Sequence, residues 1–258
     1  MDEMITSFEP ESGDNAPDIQ PSLFSGFIDI FSAPWEIGRR AIQSPMKIVL
    51  FAILLEALSI TAVSYFYSAS PGIRKESYAM QAKMIDKMAQ NPNFPKEKLS
   101  EQYENIEKQL DFNPTRSLGM GILTGGAVIF GLGLLLWISH RMFTGEPLGF
   151  LHLIALVSYG SSISVVGNLI GALMQFFGDS MRIAPGLGFL APPDDFGLLG
   201  LLSRINVFTI WFYAAVGMVI ASAAALPKKT GYTISGIVYG FTVLVSWGLM
   251  RLMAMFFG

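Results

Sequence analysis

The sequence contains no cysteine and few charged residues. The absence of Cys among its 258 residues excludes disulfide bonds, cysteine zinc sites, iron–sulfur clusters and thiol nucleophiles. Charged residues make up 14% of the chain, against about 25% in typical soluble domains, and 52% of the residues are hydrophobic. Because the uncharged residues fall in long runs, the composition indicates a membrane protein with several spans. A net charge of −3 without any basic run argues against a nucleic-acid partner.

The sequence also lacks the motifs of common hydrolases. It contains neither HExxH nor GxSxG, and its two histidines, His140 and His152, have no acidic residue at a metal-ligand spacing. We therefore expect no metal site, no cofactor and no catalytic activity.

Five apolar segments are long enough to cross a bilayer, since a hydrocarbon layer of roughly 30 Å needs about 20 helical residues. The predicted spans are 46–67, 117–138, 149–177, 207–226 and 230–257. Arg39, Arg40 and Lys47 precede the first span, and Lys228 and Lys229 separate the fourth from the fifth. Because Lys and Arg accumulate in cytoplasmic flanks, the N-terminus is predicted inside and the C-terminus outside the inner membrane.

The polar loop at 68–116 falls outside by this orientation and contains two helical patterns. One apolar face is formed by Tyr78, Ala82, Ile85 and Ala89, and the other by Leu99, Tyr103, Ile106 and Leu110. The proline-containing stretch NPNFP at 91–95 separates them. The loop is therefore predicted to be an extracytoplasmic helical hairpin inserted in a five-span domain at 46–258.

Two different segments precede the first span. Residues 1–21 carry six acidic residues and no Lys or Arg, which predicts a disordered leader that is either a docking tail or simply solvated. In 22–45, Phe24, Phe27, Ile28 and Phe31 recur at the spacing of one helical face. We interpret this segment as an amphipathic helix on the cytosolic surface; a helix packed under the bundle is a compatible alternative.

Polar residues interrupt two of the predicted spans. Glu56 lies about ten residues into the first span, where an ionisable group is costly. It is interpreted as a proton or cation site, a buried polar pin, or a neutral acid hydrogen-bonded to a neighbouring helix. The third span is polar in its middle, at Ser161, Ser162, Ser164 and Asn168. These side chains form either a polar path with Glu56 or hydrogen bonds between helices.

Three glycine pairs at GxxxG spacing lie within the predicted spans. Such pairs allow close helix packing in lipid. The expected helix-packing glycines are Gly121 and Gly125, Gly167 and Gly171, and Gly236 and Gly240.

The most distinctive local sequence is RINVFTIWFYAAVGM, which opens the fourth span and is followed by PKKTG. Together with FSAPWEIGRRAIQSP before the first span, and with the five spans, it resembles the bacterial branch of the Yip-one-domain family (Ypt/Rab-interacting proteins) over roughly residues 22–256. The resemblance implies an integral membrane protein without known catalysis. The residues that match the motif, expected to be structural, are Arg204, Asn206, Phe208, Trp211 and Gly217.

The resemblance also limits what can be carried over. Eukaryotic members are implicated in vesicle trafficking and associate with prenylated small GTPases, whereas the loop at 68–116 resembles insertions in bacterial members. We therefore expect an all-α membrane bundle that acts as a non-catalytic scaffold or accessory subunit. Its expected partners are the lipid bilayer and other membrane proteins or further copies of itself. The alternative is a transporter, channel or lipid-handling protein that uses Glu56 and the polar third span; the sequence shows no inverted repeat to support it.

Overall fold

The structure is a computed structural model that describes residues 24–40, 42, 44–90, 95–145, 148–187, 198–202 and 205–257. Every regular element in these ranges is helical, which confirms the all-α prediction. The helices are α1 (Ser25–Asp29), α2 (Pro34–Gly38), α3 (Pro45–Ala69), α4 (Pro71–Ala89), α5 (Leu99–Leu110), α6 (Pro114–Thr144), α7 (Phe150–Tyr159), α8 (Ser161–Phe177), α9 (Leu198–Leu202), α10 (Val207–Ala223) and α11 (Lys228–Phe257). The predicted acidic leader at 1–21 lies outside the described residues.

Among the residues that the structure describes, four helical segments are long and apolar enough to cross a membrane. They are Pro45–Ala69, Pro114–Thr144, Phe150–Phe177, which joins α7 to α8, and Lys228–Leu252. The helix of the predicted fourth span, α10, is apolar but shorter, with 17 residues. The chain is therefore a helical membrane protein with several spans.

Local sequence signals set where the long helices begin. Proline occupies the first turn of α3, α4 and α6, where a backbone N–H would have no partner inside the helix. The Asn113 side chain accepts a hydrogen bond from the Arg116 N–H at 2.9 Å and caps α6. The Ser70 hydroxyl accepts one from the Ile73 N–H at 3.3 Å and caps α4. Helix α4 therefore begins directly after α3, with the Ile73 N–H satisfied by the Ser70 side chain.

The bundle has a buried centre and a lipid-facing periphery. Helix α3 packs against α6, α7 and α8, and α10 packs against α2, α8 and α11. All residues from Leu153 to Tyr159 of α7 are buried, and so is most of the second half of α10. By contrast, α6 and α11 direct large apolar side chains outward, among them Leu123 and Leu244. This arrangement fits a bundle whose outer surface contacts acyl chains.

Glycine permits two close crossings between long helices. A β-carbon added at Gly121 of α6 would lie 2.7 Å from the Cα atom of Ala57 in α3. A β-carbon added at Gly231 of α11 would lie 2.1 Å from the carbonyl oxygen of Gly217 in α10. At both crossings backbone meets backbone, so that no larger side chain fits.

The segment before α3 differs from the single helix predicted over 22–45. It forms two five-residue helices, α1 and α2, separated by residues 30–33. Phe27 is buried, but Phe24 and Ile28 on the predicted apolar face are 57% and 70% exposed. Apolar periodicity alone does not distinguish a side chain that faces lipid from one that faces the core.

The same segment packs along α10. The Phe31 ring contacts Trp211 edge-on at 5.4 Å between centroids, and a β-carbon at Gly38 would lie 1.9 Å from the Ser222 hydroxyl oxygen. Trp211 and Ser222 are eleven residues apart in sequence, which corresponds to about 16 Å along the helix. The segment therefore follows much of the length of α10, as in the alternative of a helix packed against the bundle.

Helices α4 and α5 connect α3 to α6 in the sequence, and they pack against each other. Ile85 and Ile106, one from each predicted apolar face, are buried. Arg74 joins the start of α4 to the end of α5, because its guanidinium donates to the Leu110 carbonyl at 3.1 Å and to the Asp111 carboxylate at 2.9 Å. The membrane side on which this pair lies is called the hairpin side below.

A polar clamp fixes the corner between α3 and α4 to the end of α8. Asp179, which has a φ of 50°, accepts hydrogen bonds from the Ser70 hydroxyl and from the Gly72 N–H at 2.7 Å. The Glu76 carboxylate accepts one from the Ser180 hydroxyl and one from the Met181 N–H, both at 2.8 Å. Since Asp179 sits at the N-terminus of α4, its negative charge also interacts favourably with the helix dipole.

We expect this clamp to make the stability of the fold depend on pH in the acid range. The Ser70 hydroxyl and the Gly72 N–H hold the pKa of the Asp179 carboxyl below its ordinary value of 3.8. Its stabilising contribution is therefore complete above the ordinary value and is lost as the pH falls through the lower folded pKa. Asp179→Asn should lower Tm at neutral pH, and its difference from the wild type should shrink in acid.

The measurement is Tm in detergent by tryptophan fluorescence between about pH 2 and pH 6. Glu101→Gln, which changes an exposed carboxylate on α5, should leave Tm unchanged throughout. A difference between Asp179→Asn and wild type that stays constant to the lowest pH would contradict the assignment.

Candidate functional site

Polar residues of the third and fourth predicted spans surround one pocket. The pocket has a volume of about 140 Å³ and lies between α6, α8 and α10. Its polar lining residues are Ser164, Asn168, Asn206, Thr209 and Tyr213. Its apolar wall includes Leu132, Phe208 and Phe212. The structure thus brings together residues of α8 and α10 that lie about 40 positions apart in the sequence.

The pocket is held by contacts at both ends of its α10 wall. The Asn206 side chain caps α10 by accepting a hydrogen bond from the Phe208 N–H at 2.8 Å. The Phe208 ring lies against Gly167 of α8, where a β-carbon would be 2.6 Å from the Phe208 Cβ atom. The Tyr213 hydroxyl donates to the Thr242 hydroxyl of α11 at 3.2 Å. Since its described polar groups are amides and hydroxyls, the pocket can form hydrogen bonds but offers no general base.

Glu56 lies apart from this pocket. It is half-buried on α3 and faces α6, where a β-carbon added at Gly125 would lie 3.0 Å from the Glu56 Cβ atom. Within the described ranges its carboxyl group has no hydrogen bond or ion pair, and it does not line the pocket. The polar path predicted between Glu56 and the third span therefore has no support in the geometry.

Ser161 and Ser162 lie at the break between α7 and α8. The Gly160 carbonyl accepts from the Ile163 N–H at 2.9 Å, which tightens the helix locally. Both serine hydroxyl groups are buried without a hydrogen-bond partner among the described residues. Neither lines the pocket, so the structure separates them from Ser164 and Asn168.

The residues of the family motif have packing or capping positions where they are described. Asn206 caps α10, and Phe208 packs against Gly167. Trp211 contacts Phe31, and Gly217 lies at the crossing of α10 and α11. Arg204 lies outside the described residues. These positions agree with a structural role, which remains a prediction.

The three glycine pairs have different surroundings. Gly121 and Gly125 face α3. Gly167 faces Phe208, and the nearest atom to a β-carbon at Gly171 is the Cδ of Pro185 at 3.5 Å. Gly236 and Gly240 of α11 have no heavy atom of a described residue within 4 Å of an added β-carbon. The α11 pair is therefore directed away from the rest of the bundle.

Two features were not predicted from the sequence. One is the Asp179 clamp. The other is the contact of the Trp35 ring with both the Arg39 guanidinium and the Lys228 ammonium group, each 5.1 Å from the ring centroid. The only sequence signals were a tryptophan and basic residues near a membrane boundary. Within the described part of the chain, no three His, Cys, Asp or Glu side chains are grouped to hold a metal ion.

Comparison with known proteins agrees with this architecture. The family model described as "Yip1 domain" matches residues 28–250, which include nearly all of the described helices. None of the curated proteins and none of the solved structures is significantly similar to the chain. The match covers most of an all-helical chain with several apolar spans, and the chain therefore belongs to the Yip1 domain family.

Proposed function

We propose that the chain is a non-catalytic membrane scaffold that assembles through contacts between its copies at α11. The observation that carries this proposal is the outward-facing pair Gly236 and Gly240. Only 17% of the most apolar stretch of α11 is buried. In lipid, small residues mark surfaces where helix backbones approach closely. A glycine face of this kind can pack on its own copy about a two-fold axis.

The membrane topology is part of the proposal. We propose that α10 is the fifth span, because its 17 residues extend about 25 Å. Trp35 contacts both Arg39 and Lys228, so the basic residues before α3 and before α11 lie at one end of the bundle. Positive charge at this end supports a cytoplasmic N-terminus and an extracytoplasmic hairpin side in an inner membrane.

Two further parts of the organisation remain proposals. They are the acidic leader at 1–21 and the division into an N-terminal segment at 22–45 and a membrane domain at 46–258. The transporter, channel or lipid-handling alternative is not favoured, since Glu56 and the polar pocket are separate.

Disulfide trapping tests the scaffold directly because the chain has no cysteine of its own. In native membranes, Gly240→Cys should give a cross-linked dimer on oxidation, since Gly240 would face its copy across the axis. Val128→Cys, at a half-exposed position near the middle of α6, serves as the matched control and should give little dimer. Equal cross-linking at both positions would indicate random collision.

A packing variant provides the second arm. Gly236→Leu should reduce cross-linking at Gly240→Cys and shift the purified protein to a smaller species in mild detergent. Because the added side chain enters open space, it should leave the fold of the single copy intact, as judged by an unchanged Tm. A monomeric wild type in membranes would refute the proposal.

A further inference from the structure

A larger cavity lies on the hairpin side, where α3 and α6 meet the hairpin. Its volume is about 260 Å³. The two helices are in close contact at Ala57 and Gly121. About one to two turns further towards the hairpin, Ile60 and Ser64 of α3 border the cavity, and on α6 so does Met120, the residue directly before Gly121.

The lining of this cavity divides into an apolar and a polar part. Ile60, Met120 and Phe112 contribute apolar surface. Gln109, Asp111, Asn113 and Arg116 contribute polar or charged groups from the end of α5 and the start of α6. A ligand that satisfies both parts must itself be amphiphilic.

The length of α6 places these two parts relative to a bilayer. Its 31 residues extend about 46 Å, whereas the hydrocarbon layer is roughly 30 Å thick. A centred α6 therefore projects about 8 Å beyond the hydrocarbon at each end, or roughly five residues. Arg116, the third residue of the helix, then lies at headgroup depth, and Met120, the seventh, lies at the edge of the acyl region.

The charge of the cavity is positive. Asp111 is paired with Arg74 at 2.9 Å, so its negative charge is compensated. The guanidinium of Arg116 is exposed and has no hydrogen bond or ion pair with any described residue. A guanidinium is well suited to a phosphate because its N–H groups match two phosphate oxygens at once.

We propose that this cavity binds a phospholipid of the hairpin-side leaflet, with its phosphate at Arg116 and the upper part of an acyl chain between Ile60 and Met120. The proposal does not depend on the scaffold function, because it concerns a different surface from α11. It also requires no transport, since the lipid remains in its own leaflet.

Photolabelling in vesicles tests the proposal with the full chain. The probe is a phosphatidylglycerol with a photoactivatable group near the top of one acyl chain, in phosphatidylcholine vesicles. In the wild type, adducts should map to the α3 peptide around Ile60 and Ser64 and to the α6 peptide around Met120. Arg116→Gln should lower the yield at these positions about tenfold, because a charge-assisted contact to the phosphate is lost.

Two matched variants complete the design. Arg182→Gln removes an exposed cation that does not line the cavity, and it should label as the wild type does. Ser64→Phe fills the cavity from the apolar side and should lower the yield while Arg116 is intact. Wild-type adduct yield in both Arg116→Gln and Ser64→Phe would overturn the proposal, provided that the Tm of each variant shows it to be folded.

Two further labelling experiments identify which part of the lipid the cavity recognises. A diacylglycerol with the same photoactivatable chain should label the cavity peptides weakly, since it lacks the phosphate. Millimolar inorganic phosphate should not compete, since it lacks the acyl chain. Strong labelling by diacylglycerol would refute phosphate recognition, and competition by phosphate would indicate a site for a free anion.

Discussion

Replacing Gly121 with leucine should lower the free energy of unfolding by about 3 kcal/mol. A β-carbon at this position would lie 2.7 Å from the Cα atom and 3.0 Å from the carbonyl oxygen of Ala57. Both are backbone atoms and cannot rotate away, so α3 and α6 must separate along their contact. For a domain of this size the loss corresponds to a decrease in Tm of about 6–12 °C.

Gly131→Leu is the matched control for Gly121→Leu. Gly131 lies on the same helix, and an added β-carbon there would have no heavy atom of the described part of the chain within 4 Å. Both variants exchange glycine for the same larger residue in a helix, so any difference between them reports the contact with α3. The two Tm values can be measured by tryptophan fluorescence in detergent. Equal values would show that the close approach of α3 and α6 does not contribute to stability.

Replacing Glu56 with leucine should raise the free energy of unfolding by about 2 kcal/mol. Glu56 is halfway along α3, it has no partner among the described residues, and its Cβ atom packs against Gly125. An unpaired carboxyl group at this depth destabilises the folded protein in a bilayer, whereas leucine is compatible with lipid. The measurement is resistance to unfolding by a denaturing detergent after reconstitution.

Glu56→Gln separates charge from polarity in this experiment. It keeps a polar side chain of similar size, so we expect a smaller increase than with leucine. Leu58→Met, an exposed apolar exchange on the same helix, should have almost no effect. A decrease in stability for Glu56→Leu would mean that the carboxyl group has a partner in the membrane, and a binding role for Glu56 would become the better interpretation.

Hydropathy predicted the long helices well, because a helix that crosses a bilayer needs a long run of apolar residues. The predicted second span, 117–138, lies within α6, and the predicted fourth span begins at the same residue as α10, Val207. The family was also predicted correctly from RINVFTIWFYAAVGM and the number of spans. In both cases the signal was local, either a run of apolar residues or a short motif.

Contacts between segments that are distant in the sequence could not be predicted from such local signals. The Ser70 hydroxyl donates a hydrogen bond to Asp179, which lies more than a hundred residues further along the chain. No local sequence pattern around either residue predicts this contact. The polar pocket likewise combines Ser164 and Asn168 with Asn206, whereas Glu56, which the sequence grouped with the first two, lies against α6. Their polarity predicts that these residues face away from lipid. Which of them are in contact depends on their depth along each helix and on the rotation of each helix about its axis.

Glycine spacing was informative about close approach but not about its partner. The three GxxxG pairs look alike in the sequence, yet Gly121 meets α3 within the chain and Gly240 faces away from it. The contact of Gly217 with Gly231, by comparison, involves no such pair. In lipid, hydrophobicity does not distinguish an inner from an outer helix face, so the same motif serves both.

The central position of α10 has a consequence for how the protein tolerates different membranes. Helices α2, α7, α8 and α11 all pack against α10, so its surroundings are largely protein. A helix in such a place need not match the hydrocarbon in length, which is consistent with its 17 residues. Hydrophobic mismatch acts instead on the peripheral helices, and a thicker or thinner bilayer should be accommodated by tilting of α6 and α11 around an α10 that keeps its neighbours.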